Sequence, residues 1–208
     1  MHIETLAVGP LGCNCSLLMD AESGRAVVID PGGDAEHIMA RLQGMRAHVE
    51  ALLHTHAHLD HVGGTGTLQR LTHAPAEFHS ADRFLFDIWT LQASVIGCPV
   101  PELPRCEFSL EDNAVFAVGS MTVRVLHTPG HSPGGVCFLA EQGSARCLFA
   151  GDTVFRGGVG RTDLWGGDSE ALVRSIRERV FSLPGDTQII PGHGPDTSVV
   201  EERSRSFR

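Results

Sequence analysis

No stretch of this 208-residue sequence approaches the ~18 consecutive apolar residues of a membrane span. The first residues, Met1-His2-Ile3-Glu4-Thr5-Leu6, carry neither a basic segment nor a long apolar core. A cytoplasmic protein with no membrane partner is therefore expected. Basic clusters are also missing, apart from the arginines of the C-terminal tail. With a net charge of −9 and a pI near 5.7, nucleic acid is not an expected partner. There is no Cys-x-x-Cys pair. The six cysteines, at positions 13, 15, 98, 106, 137 and 147, have no disulfide-framework spacing, which points to free thiols in a reducing compartment. Cys13 and Cys15 could turn two thiols to one side, but the apolar Leu17-Leu18-Met19 that follows reads as a strand entering the core. The sequence has no tyrosine. No linker, low-complexity segment or internal repeat divides it, and at 42% hydrophobic it can bury a full core. One domain over residues 1–208 is expected, as a monomer or small homo-oligomer.

Against these absences stands a local excess. Three of the 12 histidines fall within Thr55-His56-Ala57-His58-Leu59-Asp60-His61, together with an aspartate. The segment follows the strand-like run Val49-Glu50-Ala51-Leu52-Leu53 and precedes Gly63, Gly64 and Gly66. In extended chain, residues i and i+2 face the same side, so His56 and His58 can grip one ion together. Asp60 and His61 fall in the turn or first helical turn that follows, project differently, and can serve a second ion. A structural zinc site is a poorer reading, because such sites are usually closed, four-liganded and rich in cysteine.

The same grammar recurs three times downstream. Val123-Arg124-Val125-Leu126-His127 leads into Thr128-Pro129-Gly130-His131. Cys147-Leu148-Phe149-Ala150 ends in Gly151-Asp152, and Gln188-Ile189-Ile190 ends in Pro191-Gly192-His193-Gly194-Pro195. Each strand-like run delivers a candidate ligand into a turn set by proline or glycine. The candidates are five histidines and two aspartates. His2, His37, His48, His54, His73, His79 and His127 fit no ligand position and are expected on the surface or in packing, with His54 and His127 as candidates to support the ligands from behind.

The order T-H-x-H-x-D-H, P-G-H-S-x-G, G-D and P-G-H-G resembles the metallo-β-lactamase superfamily. Within it, the chain is similar to the short, single-domain members of the glyoxalase II group of thioester hydrolases. Asn14-Cys15-Ser16, Asp30-Pro31-Gly32-Gly33 and Gly157-Gly158-Val159-Gly160-Arg161 extend the likeness, which runs from about Thr5 to Glu202. The resemblance implies a four-layer αββα sandwich with ligands in loops along one edge. It implies one metal on His56, His58 and His131, a second on Asp60, His61 and His193, and Asp152 bridging them. The ions would be two divalent metals, zinc by preference, with iron or manganese acceptable to the same donors. Two ions about 3.5–4 Å apart share a hydroxide nucleophile, positioned by Asp60 and Asp152. A basic residue at the place of Arg161 contacts a substrate carboxylate in relatives, and Arg156 on the same loop is a weaker candidate; pairing of Arg161 with Asp163 or Asp168 is the alternative.

The implied substrate is a small anionic thioester of the S-lactoylglutathione type. Two departures bear on it: only 15 residues follow His193, where full-length relatives continue into a helical glutathione-binding domain, and the tyrosines those relatives use on glutathione are missing. A second reading is a persulfide dioxygenase of the same superfamily, with one iron on two histidines and an aspartate. That group shares Gly160-Arg161-Thr162-Asp163 and Leu183-Pro184-Gly185-Asp186, but it has alanine before the motif aspartate and lacks the Pro191–Pro195 run. Lactonase or β-lactamase side activities and a non-catalytic metal-binding interaction protein complete the alternatives.

Short apolar-rich runs bounded by turn residues predict strands at 2–8, 14–19, 25–30, 48–53, 120–127, 135–140, 146–150 and 186–190. Asp34 is expected to cap a helix bearing Ile38, Leu42 and Met45, and Asp168 another bearing Leu172, Ile176 and Val180. Phe84, Ile88, Leu91 and Val95 have helical spacing and read as a core stripe, although in relatives this region borders the cleft.

Overall fold

The computed structural model describes residues 1–205. Its first half forms strands β1 (His2–Val8), β2 (Cys13–Met19) and β3 (Arg25–Ile29), then helix α1 (Ala35–Met45) and strand β4 (His48–Leu53). The short helices α2 (Leu59–Val62) and α3 (Thr65–Thr72) follow, then β5 (Ala76–His79), α4 (Arg83–Asp87), α5 (Trp89–Ile96) and β6 (Cys106–Leu110). These six strands make one sheet in the order β1-β2-β3-β4-β5-β6, antiparallel across the first three and parallel from β3 onward.

The second half contributes β7 (Val115–Val118), β8 (Met121–His127), β9 (Val136–Gln142) and β10 (Ala145–Gly151). A two-stranded ribbon, β11 (Val154–Phe155) with β12 (Gly158–Val159), comes next. Helix α6 (Ser169–Ser175) runs into a π-helical turn over Ile176–Val180, and β13 (Gln188–Pro191), β14 (Thr197–Ser198) and α7 (Val199–Arg205) end the described chain. The second sheet has the order β14-β13-β10-β9-β8-β7.

Strand periodicity explains why two sheets stack with helices outside. In β3, Val27 and Ile29 face the second sheet while Val28 faces the helices; in β4, Ala51 and Leu53 face inward while Leu52 faces out. The second sheet does the same. Phe138 and Ala140 of β9 and Cys147 and Phe149 of β10 fill the space between the sheets. Cys137 and Leu139, with Leu148 and Ala150, turn to Leu172, Ile176 and Val180. On the other side, Ile38 and Leu42 of α1 and Leu68 of α3 cover Leu17 and Leu52. The result is an αββα sandwich of three apolar layers, in which each fully buried leucine or phenylalanine contributes roughly 1.5–3 kcal/mol. Four of the six unpaired cysteines, Cys13, Cys15, Cys137 and Cys147, are packed in these layers as small apolar side chains. No helix among the described residues is long and apolar enough to cross a membrane.

All eight expected strands form within a residue or two of their predicted ends. One expectation fails and another holds only in part. Asp34 sits at the start of α1 but has φ 48°, and its carboxylate accepts the Gly9 amide at 2.8 Å in place of capping the helix. Asp168 does cap α6, accepting the amides of Glu170 and Ala171. The Phe84–Val95 stripe is core only in part, with Phe84 and Ile88 half-buried against the core. The chain breaks at Ile88 between α4 and α5, which rotates the buried face to Leu85, Trp89 and Ala93 and leaves Leu91 and Val95 half or more exposed.

Candidate metal centre

The seven candidate ligands leave four strand ends and meet at one edge of the sandwich. His56 and His58 lie in the loop after β4, and Asp60 and His61 in the first turn of α2. His131 follows β8, Asp152 follows β10 and His193 follows β13. Their donor atoms form three overlapping groups, each within 4.8 Å: His56, His58 and His131; His56, His61 and Asp152; Asp60, His61 and His193. The i, i+2 pair thus faces one way and the helical-turn pair the other. Asp152 lies between the groups. Its Oδ2 is 3.6 Å from His131 Nε2, and its Oδ1 is 3.3 Å from His61 Nε2 and 3.9 Å from His193 Nε2.

The outer nitrogens show how the rings are aimed. His61 Nδ1 donates to Asp30 Oδ2 at 3.0 Å and His131 Nδ1 to the Arg161 carbonyl at 2.7 Å. Thr55 Oγ1 donates to Asp30 Oδ2 at 2.6 Å and so is left to accept from His56 Nδ1 at 3.0 Å. With each Nδ1 engaged outward, each Nε2 turns to the interior, where it can offer a lone pair to a metal ion once it carries no proton. His58 is turned the other way, its Nδ1 lying 2.9 Å from His131 Nε2. Buried Nε2 atoms of His56 and His61, and Asp152 Oδ1, have no hydrogen-bond partner among the described residues. Orphaned acceptors converging at one point are costly unless a cation fills it, and an imidazole-and-carboxylate set suits a divalent metal. The residues present therefore fit such a group.

Protonation equilibria divide the cluster. Burial pushes His56 well below the usual histidine range and His58 down to about 3, with neighbouring imidazoles adding to the effect. Burial also lowers His61, but Cys13 and the carboxylates of Asp152, Asp60 and Asp30 outweigh it and hold His61 well above its ordinary value. The hydrogen bond to Asp60 raises His193. For Asp60 and Asp152 burial acts upward, yet the surrounding imidazoles keep both below the usual carboxylate range.

Several residues to which the sequence assigned no role support the ligands, two of them, Asp30 and Asn14, within the motifs of the resemblance. Asp30 and Asp82 are buried carboxylates. Asp82 accepts the Ala57 amide, the Ser132 hydroxyl and the Gly134 amide at 3.0, 2.8 and 2.6 Å. Gln92 of α5 accepts the Leu59 amide at 3.0 Å. Asn14 donates to the carbonyls of Pro191 and Gly194, fixing the His193 turn from the opposite sheet. His54 and His127 do not support ligands: His54 bonds Thr65 and Glu77, and His127 bonds the Pro133 carbonyl. Glycine is required where the turns close on the site. A Cβ on Gly32 would lie 1.7 Å from the Asp60 carbonyl, and one on Gly192 would lie 2.2 Å from Asp152 Oδ1.

A cavity of about 370 Å³ opens over the ligands, with Val95, Ile96, Leu164 and Trp165 in its wall. Arg161 lines it, but its guanidinium is bound to Asp163 through Nε–Oδ1 (2.6 Å) and Nη2–Oδ2 (2.8 Å). Arg156 is exposed in the β11–β12 turn and does not reach this cavity.

Comparison with known proteins agrees with this geometry. The chain is 38% identical over its whole length, and over 98% of the relative, to hydroxyacylglutathione hydrolase GloC of Haemophilus influenzae. Among solved structures it is similar to TTHA1623 in a di-iron-bound form (39% identity, TM-score 0.85, 98% of each chain). It is similar also to the BLEG-1 B3 metallo-beta-lactamase (33% identity, TM-score 0.89, covering 98% of this chain and 97% of that one). The family model of the metallo-beta-lactamase superfamily matches residues 8–193, a span that starts in β1 and ends on the last candidate ligand. Sheet order, ligand placement and sequence match together make this chain a member of the metallo-beta-lactamase superfamily.

Proposed function

We propose that the protein is a metal-dependent hydrolase of thioesters, holding two divalent ions. The observation that carries this reading is the convergence of unpartnered buried imidazole nitrogens and Asp152 Oδ1 beneath an open cavity. His56, His58 and His131 would hold one ion, Asp60, His61 and His193 the other. Asp152 would serve both, since its two oxygens already face opposite groups. The relative named for hydroxyacylglutathione hydrolysis supports the thioester as the bond attacked.

Bound there, divalent ions supply Lewis acidity that polarises a carbonyl and lowers the pKa of water from near 16 toward about 7. The net reaction adds water across the C–S bond: oxygen joins the acyl carbon, sulfur leaves with the bonding pair, and the products are a carboxylate and a thiol. The chain's own contribution is positional. Asp30, Thr55 and the Arg161 carbonyl hold three imidazoles in one tautomer, so no ring has to reorient during turnover. Asp60 and Asp152 offset part of the positive charge and leave the site electrophilic. Val95, Ile96 and Trp165 narrow the approach and shed water from it.

The test is metal analysis together with two assays: thiol release from S-lactoylglutathione and oxygen uptake with glutathione persulfide. About two metals per chain with thiol release are expected. One iron per chain with oxygen uptake would replace this reading with the dioxygenase.

A further inference from the structure

Resting on the thioester reading, we infer that the site takes thioesters with an apolar acyl group and an uncharged, amide-bearing thiol arm, in preference to glutathione conjugates. Glutathione brings two carboxylates and an ammonium group, and a site built for it needs cations to receive the carboxylates. The sequence contains no lysine, and all 16 of its cationic side chains other than histidine are arginines. Among the described residues, Arg161 is the one arginine in the cavity wall. Its guanidinium is held by Asp163 in a two-point pair, and that pair keeps the Asp163 carboxyl down to about 2. An incoming carboxylate meets a neutral pair and must compete with Asp163 for it.

Apart from the candidate ligands and Gln92, the rest of the wall is apolar. Ile96, Leu164 and Trp165 face the ligand cluster, and at the mouth Leu11 and Val95 remain 54% and 62% exposed. A hydrocarbon chain would cover that surface, and a peptide backbone would not.

A second cavity of about 260 Å³ adjoins the first and shares Asp60 and Ile96 with it. Its charged side chains, Asp34 and Asp60, are both acidic, and its walls include Gly9, Gly32 and Gly33. Asp34, which is not among the candidate ligands, repels a carboxylate at this place, while its oxygens and the peptide carbonyls of the wall can accept amide N–H donors. The thiol arm therefore runs past Ile96 into this cavity, and the acyl chain lies against Leu164 and Trp165.

Binding and hydrolysis test the inference separately on the zinc-loaded full chain. Non-hydrolysable thioethers, S-hexylglutathione, S-hexyl-N-acetylcysteamine and S-ethyl-N-acetylcysteamine, are titrated while the tryptophan fluorescence is followed, of whose two sources, Trp89 and Trp165, the second lines the cavity. The hexyl cysteamine compound is expected to bind at least as tightly as its glutathione counterpart and at least about tenfold more tightly than the ethyl compound. Its affinity should not change with salt, and Val95→Asp should weaken it about tenfold. In turnover, kcat/KM for S-hexanoyl-N-acetylcysteamine should exceed that for S-lactoylglutathione. A glutathione thioether bound about tenfold more tightly, in a manner weakened by salt and by Arg161→Ala, would overturn the inference. Failure to hydrolyse any thioester, with the expected order of thioether binding intact, would overturn the hydrolase reading and leave the cavity's preference standing.

Discussion

The carboxylate of Asp82 accepts the backbone amide of Ala57, the residue between His56 and His58, at 3.0 Å. The same group takes the Ser132 hydroxyl and the Gly134 amide, so one buried side chain fastens the first ligand loop to the loop that carries His131. Burial raises its pKa, and the three donors hold it back. Asp82→Ala leaves those buried donors without an acceptor and is expected to cost about 2–4 kcal/mol of stability. It should also weaken the ion on His56, His58 and His131 by roughly 10–100-fold. Thermal denaturation of the metal-free protein and chelator competition measure the two effects. A variant with unchanged metal affinity would show that the loops hold their spacing without this carboxylate.

Gly192 lies against the opposite side of the site. An alanine Cβ there would come within 2.2 Å of Asp152 Oδ1 and 2.7 Å of His61 Cε1, which forces the carboxylate off its position. Gly192→Ala is expected to lower the metal content below one ion per chain and to depress turnover by orders of magnitude, with the circular dichroism spectrum preserved. Full metal loading in this variant would contradict the placement of Asp152 between the two groups.

If two ions are held as proposed, protons should remove them in a fixed order. A ligand nitrogen must be free of its proton to bind metal. His56 and His58 are held below their ordinary values by burial and stay neutral into acid, whereas His61 and His193 are raised and take up protons first as the pH falls. Dialysis in steps from about pH 8 to about pH 5, followed by metal analysis, should show loss of the ion on Asp60, His61 and His193 ahead of the other. Simultaneous loss of both would show that bridging by Asp152 couples them more strongly than the protonation difference separates them.

Arg161 presents an exposed guanidinium already paired with Asp163. Its charge is met by Asp163 and screened by water, so it offers an incoming carboxylate little net attraction. Arg161→Ala should therefore change KM for S-lactoylglutathione by less than about fivefold and leave kcat nearly unaltered. Steady-state kinetics on the two proteins decide it. A much larger rise in KM would mean that the substrate displaces Asp163.

The elements that deliver ligands were readable because each combines a short apolar run with a turn or metal-binding residue at its end, and the runs are continuous in β4, β10 and β13 and alternating in β8. That combination located β4, β8, β10 and β13 without reference to contacts. Other elements were not readable. Strands β5 and β6 are no shorter than β13 and β3, but their apolar residues are separated by Glu77 and by Glu107 and Ser109, so neither presents a continuous apolar run, and α3 offers one buried leucine, Leu68. Asp82 gave no signal either, since its partners are 25, 50 and 52 residues away and only the fold brings them together. The Phe84–Val95 stripe misled because its spacing assumed one continuous helix, and the break at Ile88 resets the phase. Asp34 misled because cap chemistry depends on backbone angles that its identity does not specify.

The split of the ligands between the two sheets has a mechanical consequence. Four of them follow β4 in the first sheet, and three follow strands of the second. Any ion held by both sets is a clasp across the seam of the sandwich, and its binding energy adds to the docking of the halves. Loading with metal should therefore tighten the whole molecule, and its withdrawal should loosen the seam before it loosens either sheet.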